Sequence, residues 1–188
     1  SGLPYVDDDK FIPYVKEIIN KHDIDFIFPA HDSVILKLVE YRDALGAEVI
    51  TSTYETCKIC RAKSLTYEAL ADVIPVPVVF SSKDEIKSFP VFAKPDIGQG
   101  SKGACKITDE ESLENVLQDS SGLLVTEYMP GSEYTIDCFT NNLGKLLFAK
   151  GRQRNRISNG ISVNSTSKND ERFWLLAEKI NIELSFNG

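Results

Sequence analysis

Two histidines and four cysteines are all that the 188 residues offer a soft metal, and they are poorly placed for one. Cys57 and Cys60 form a CxxC, but no second CxxC or HxxxH completes a four-ligand set, and His22 and His31 lie far away in sequence. Two small residues on one helix face is the reading preferred here, with half a metal site or a redox pair as the alternatives. No apolar run approaches the roughly 18 residues that span a bilayer, and no charged, apolar and small-residue series marks a signal peptide. The cytoplasm is the expected compartment, and no membrane partner is expected. Basic residues are also short, with 21 Lys and Arg against 28 Asp and Glu for a net charge of −7. That balance argues against gripping nucleic acid, which needs a basic face to displace counterions, and mainly serves solubility. Repeats and low-complexity tracts are lacking too.

What is present is ordinary globular material, 42% hydrophobic and 26% charged, enough to bury a core. Neither end reads as finished: "SGLPYVDDDK" enters a helical pattern without an opening strand, and "ELSFNG" stops as an apolar segment starts. The expectation is a piece of a longer protein. Phe11, Tyr14, Val15, Ile18 and Ile19 recur at helical spacing, and "DIDFIFP" follows as a short buried strand. A second helix is predicted over Ser33 to Leu45, stopped by Gly46, with "EVIT" as the next strand. Such alternation implies a parallel sheet, whose ligand-facing edge would carry Pro29, Ala30, His31 and Asp32. A plain connection capped by Asp32 or Ser33 is the simpler alternative.

Residues 53 to 73 read as two short helices, and "IPVPVVF" as an extended boundary. A short helix near Ser82 to Lys87, the strand "VFAKP", a glycine loop and the strand "ACKI" come next. Thr108 with Glu111 has capping-box spacing for the helix after them. "LLVTEYM" is a strand ended by Pro130 and Gly131. From Glu133 to Phe139 the residues alternate, with Glu133, Thr135 and Asp137 on the polar face. "NNLG" turns into the return strand "KLLFAKGR", and a last helix runs from about Asp170 to Ile182.

The loop "DIGQGSKGACKI" places Gly98, Gly100 and Gly103 at dinucleotide-fingerprint spacing. A dinucleotide fold needs those glycines to open a helix, yet Gly103 leads into a strand; a Walker loop needs lysine directly after its last glycine, where Ala104 stands. What remains is a glycine flap between two strands whose backbone amides can approach a phosphate. Lys94, on an apolar strand, wants an anion; a tight hairpin with Lys94 paired to a carboxylate is the competing reading. Between Lys145 and Arg156 stand five basic residues and no acidic one (Lys145, Lys150, Arg152, Arg154, Arg156). They suit phosphate or carboxylate oxygens, or else protect an edge strand, and Gly160 with the small polar residues after it adds weakly to the anion reading.

The order of these features resembles the ATP-grasp superfamily, most of all its carbamoyl-phosphate-synthase large-subunit-like branch. The features are Lys63 opening a helix in "AKSLTYEAL", the "IPVP" connection, Lys94 in "VFAKP", the flap "GQGSKG", the strand "VTEYM", then "PGSEYTID". The resemblance implies an α/β and α+β fold: the end of a doubly wound parallel-sheet domain over residues 1–52, followed by an incomplete ATP-grasp fold. That fold would divide into an N-terminal subdomain over 53–129, with linking helices and flap, and part of a C-terminal subdomain over 130–188. It implies Lys63 and Lys94 on ATP phosphates under a flap that includes Gly98, Gly100, Ser101 and Gly103. It implies Glu127, Tyr128 and Met129 against adenine, and Glu133 on the ribose hydroxyls. Arg152 and Arg156 are the candidates for catalytic positive charge, ahead of Arg154. Mg2+ is implied as well, but the glutamate followed two residues later by asparagine that typically ends the family's metal strands does not occur, so no metal ligand is assigned and these are expected beyond Gly188.

The implied parent is an ATP-dependent ligase that activates a small carboxylate as an acyl phosphate and lets an amine or ammonia displace phosphate, this piece itself being inactive or nearly so. A non-catalytic nucleotide-binding regulatory or interaction module is the alternative, and an NAD-type oxidoreductase would require a helix directly after Gly103. The oligomeric state stays open, a homodimer included.

Overall fold

A computed structural model describes residues 2–119, 122–158 and 160–187. The first elements are α1 (Phe11–His22), β1 (Phe26–Ile27), α2 (Asp32–Glu40), α3 (Arg42–Leu45) and β2 (Glu48–Val49). β1 and β2 are parallel, with Phe26 opposite Glu48, as the helix–strand alternation predicts. Phe11, Ile19, Leu38, Leu45 and Val49 form their common core. The helix predicted over Ser33 to Leu45 is broken at Tyr41, whose backbone (φ −106°, ψ 15°) leaves the helical region. The restart aims the Arg42 guanidinium at the carbonyls of Thr51 (2.7 Å) and Ser52 (3.0 Å), a demand that apolar spacing does not register.

α4 (Tyr54–Arg61) and α5 (Lys63–Leu70) follow, parted by the extended backbone of Ala62. Thr53 caps α4, its hydroxyl accepting the Thr56 N–H at 3.2 Å. A four-stranded antiparallel sheet comes next, β3 (Val79–Phe80), β4 (Val91–Pro95), β5 (Cys105–Ile107) and β6 (Leu123–Glu127), in the order β3-β6-β4-β5. Side chains alternate along β4, so Val91 and Ala93 join Ile107, Val125 and Leu113 of α6 (Glu110–Asp119) in the core while Phe92 and Lys94 take the opposite face. The structure departs from two local expectations. Ser82 to Lys87 holds only a 3-10 turn, Lys83–Glu85, too short for a helical face to pack. α6 is capped by Asp109, which accepts the Ser112 N–H at 2.8 Å, so the Thr108 and Glu111 box yields to a stronger capping carboxylate one residue on.

The third sheet runs β7 (Tyr134–Thr140), β8 (Leu146–Ser158) and β9 (Ile161–Lys168), all antiparallel, with α7 (Glu171–Glu183) on one face. Leu146, Ala149 and Ala177 form its core, and the Phe173 ring lies so close to Gly151 that a Cβ there would fall 2.1 Å from it. β9 was not foreseen: "ISVNSTSK" is nearly all exposed, and an edge strand with no buried face carries no apolar alternation to read. The residues after α7 return to the start of α4, where the Thr56 hydroxyl donates to Leu184 O at 2.8 Å and Ser52 and Asn187 exchange two bonds at 3.1 Å.

Candidate functional site

The glycine loop joins β4 to β5, with Ala93 opposite Cys105, so Gly103 leads into a strand and not a helix. That removes the structural basis of the dinucleotide reading. Gly103 has φ +73°, and a Cβ on it would meet Pro95 Cγ at 3.1 Å, so a side chain is disfavoured twice over. The flap is touched from two sides. The Gln99 amide donates to His31 Nε2 at 2.8 Å, which puts the carboxyl end of β1 in contact with it, and the β8–β9 turn meets it at Gly160.

Both lysines reach the base of this hairpin. Lys94 leaves the face of β4 away from the core and donates to the Tyr67 hydroxyl at 2.5 Å, with Nζ 5.0 Å from the Tyr67 ring centre. Its partner is therefore a phenol and not the carboxylate of the competing reading. Lys63 donates to Pro95 O (2.8 Å) and Asp96 O (3.0 Å), bracing the flap root, while the Asp96 carboxylate accepts the Ser64 N–H (2.7 Å) and hydroxyl (2.8 Å). Burial first, and then the neighbouring Lys94 charge, hold the Lys63 pKa below the ordinary lysine value. Two cations drawn together with one of them disfavoured make a place where an anion is welcome. Sequence reading missed Tyr67, although its position four residues after Lys63 on α5 puts both on one helix face.

Beside Lys94 opens a cleft of about 600 Å³ lined by Phe92, Lys94, Glu127, Tyr128, Met129 and Glu133, among others. Glu127 is fixed by two bonds to the Val78 main chain, its N–H donating at 2.9 Å to Val78 O and its carboxylate accepting the Val78 N–H at 3.0 Å. Lys106 of β5, which also escaped the sequence reading, sits 4.4 Å above the Tyr128 ring, while Met129 stands exposed at the rim. Lys63, Gly98, Gly100, Ser101 and Gly103 do not line this cleft; the four flap residues belong to the adjoining hairpin, and Lys63, on α5, braces its root.

The two charge patterns seen separately in the sequence meet across β7 and β8. Arg152 Nε donates to Asp137 at 2.9 Å, which raises the arginine pKa, and Arg154 forms an ion pair with Glu133. Two of the five basic residues are thus answered by acidic residues on β7 or just before it. Arg156 is exposed, opposite Asn164 of β9. Arg154, ranked last among the arginines, is the one that contacts a cleft residue.

Among the described residues no group of three or more His, Cys, Asp or Glu side chains is placed to hold a metal ion. Cys57 and Cys60 line a separate hollow of about 300 Å³ with Asp32, Thr56 and Arg61. Burial, followed by the nearby Cys57, pushes the Cys60 thiol up to about 11, the opposite of what a reactive thiolate needs. No described helix is long and apolar enough to cross a membrane.

Solved structures share this arrangement at low identity. The biotin carboxylase domain dimer of Hydrogenobacter thermophilus 2-oxoglutarate carboxylase, in complex with MgADP, ADP and bicarbonate, matches with a TM-score of 0.81 and 14% identity over 100% of this chain and 48% of that one. Campylobacter jejuni biotin carboxylase matches with a TM-score of 0.79 and 16% identity over 96% of this chain and 48% of that one. The Bacillus licheniformis L-amino acid ligase matches with a TM-score of 0.73 and 17% identity over 97% of this chain and 48% of that one. The chain spans 48% of the length of each, and at such identities the likeness establishes the fold. No curated protein matches in sequence. The ATP-grasp domain family, however, matches residues 60–188, the stretch that carries both lysines, the flap, the cleft and the three-stranded sheet. The chain belongs to the ATP-grasp family.

Proposed function

We propose that this chain is the ATP-gripping part of an ATP-dependent carboxylate–amine ligase with an acyl-phosphate intermediate, of the carbamoyl-phosphate-synthase-like branch. The observation that carries the reading is the convergence of Lys63 and Lys94 at the root of a glycine flap, beside a cleft with an apolar floor and a carboxylate at its rim. Lys94 and Lys63 are suited to the phosphates, with the flap from Gly98 to Gly103 over them. Tyr128 and Met129 would meet the purine, with Glu127 holding the hinge strand in place. Glu133 would turn from Arg154 to ribose hydroxyls, which a carboxylate accepts well.

ATP supplies the phosphoryl group that turns a carboxylate into a good electrophile, and an amine or ammonia then displaces phosphate. The share of this chain is to bind, orient and neutralise charge, which is most of what phosphoryl transfer asks of a protein. Arg152, steadied by Asp137, and Arg156 are the groups proposed for the transferring phosphoryl charge. Because the family's metal carboxylates typically lie on later strands, the Mg2+ ligands are proposed to lie beyond Gly188. The proposed domain organisation divides the chain after residues 52 and 129, and other parts of the parent would select the small carboxylate and the nucleophile.

A thermal-shift titration with ATP, GTP and NAD tests this. A ligand that binds only the folded state at a hundredfold its Kd adds about 2.7 kcal/mol of apparent stability. ATP is expected to raise the melting temperature, NAD to leave it unchanged, and Lys94→Ala to abolish the ATP response. ADP release in the same samples is expected to be slow. An equal response to NAD, or an ATP response that survives Lys94→Ala, would overturn the proposal.

A further inference from the structure

Arg154 spans two separate features, the cleft wall and the glycine flap. Its backbone N–H donates to Glu133 O at 2.8 Å, extending the β7–β8 ladder, and one arm of its guanidinium pairs with the Glu133 carboxylate at the cleft. The other arm donates to Gly160 O at 2.5 Å, in the turn between β8 and β9. The side chain is only 17% exposed, and its Nε is buried with no partner among the described residues, so the fork is committed to these two acceptors. Gly160 in turn lies on the crest of the flap. With φ +73°, a Cβ there would fall 2.5 Å from Gly100 C and 2.8 Å from Ser101 N, both backbone atoms that cannot swing aside. Gly100 (φ +67°) and Ser101 (φ +57°) are themselves left-handed, so the crest has a fixed shape against which the turn is fitted.

We propose that Arg154 is a positioning residue that couples the cleft carboxylate Glu133 to the seating of the glycine flap, acting through the Gly160 turn as a latch. The contact works only with glycine at 160 and with a two-armed cation at 154. A ligand hydroxyl pair that takes Glu133 competes with one arm of the fork, so occupancy of the cleft wall and the hold on the flap bias each other, and the bias is reciprocal. This last consequence rests on the reading that the cleft takes a nucleotide; the latch itself does not.

The test therefore has a readout that needs no ligand. Lys102 sits in the flap two residues after Gly100, and the Ala104 N–H is held by Ser101 O at 3.2 Å, so tryptic cutting after Lys102 and hydrogen exchange at Ala104 both report flap seating. In the nucleotide-free full chain, Gly160→Ala and Arg154→Gln are expected to raise both rates at least tenfold, with cutting after Lys106 on β5 unchanged. Arg154→Lys, which keeps the charge and loses the fork, is expected not to restore the wild-type rates, and Glu133→Gln to raise them by a smaller factor. If Arg154→Gln leaves the flap rates as in the wild type, or raises the Lys106 rate in parallel, the latch is wrong. Should ATP leave the wild-type melting temperature unmoved while the flap rates respond as stated, the nucleotide reading fails and the latch stands.

Discussion

Lys63 ties the flap root to α5 through two main-chain carbonyls, and its charge is disfavoured where it stands. A base whose pKa is lowered on folding binds protons less readily in the native state than in the unfolded one. The protein is therefore expected to gain stability as pH rises from the native Lys63 value to the ordinary lysine value, and the gain to be complete above it. A polyphosphate reverses the local sign, because an anion beside the ammonium restores the charged form. We expect proton uptake when ATP binds at alkaline pH, read by calorimetry in buffers of differing ionisation enthalpy, and its loss in Lys63→Met. At this scale the sequence spoke clearly about residue type and poorly about partners. Lys94 was recognisable as a cation on an apolar strand, but its Tyr67 phenol comes from a helix 27 positions earlier, a distance that no local pattern spans. Glu133 and Arg154, 21 residues apart, were visible as separate acidic and basic signals whose pairing depends on the hairpin register.

The terminal helix shows which elements could be read from sequence and which could not. α7 starts within one residue of its expected place because Asp170 marks the cap and Phe173, Ala177 and Ile180 mark the buried stripe. Hydrogen bonds from Arg172 hold the Asp170 carboxyl at about 2, below the usual 3.8. A carboxyl depressed on folding contributes stability that is present above its unfolded value and lost as pH falls towards its native one. The cap's contribution is thus expected to fade between pH 3.8 and about 2, with helical circular dichroism and melting temperature falling together in wild type. Asp170→Asn, which retains an acceptor but does not titrate, should lack that part of the fall. β4 and β5 were legible for a similar reason, since apolar runs flanked by a proline and glycines have few alternatives. β9 was not, because what makes it a strand is a ladder with β8, and a ladder leaves no mark on the composition of one segment.

At the scale of the whole molecule, the described residues form three sheets with three separate cores, and polar cross-ties do part of the work of holding them together. Thr56, 4% exposed on α4, donates to the carbonyl of Leu184, 128 residues away. Replacing it with valine keeps the shape and strands a buried acceptor, which costs about 1–3 kcal/mol. Thr56→Val is expected to lower the denaturant midpoint accordingly without altering the response to ATP, since Thr56 does not line the Lys94 cleft proposed for the nucleotide. Ties of this kind were beyond sequence reading, because the serine, threonine and asparagine residues that make them serve equally well as turn and cap residues. The parallel pair, the flap hairpin and the order of the ATP-grasp features were within it, because each rests on local pattern or on succession along the chain. With Leu184 and Asn187 buttoned to the doorway of α4, the polypeptide closes on itself like a clasped bracelet, and a single nick in the flap is expected to leave both pieces fastened together as one particle.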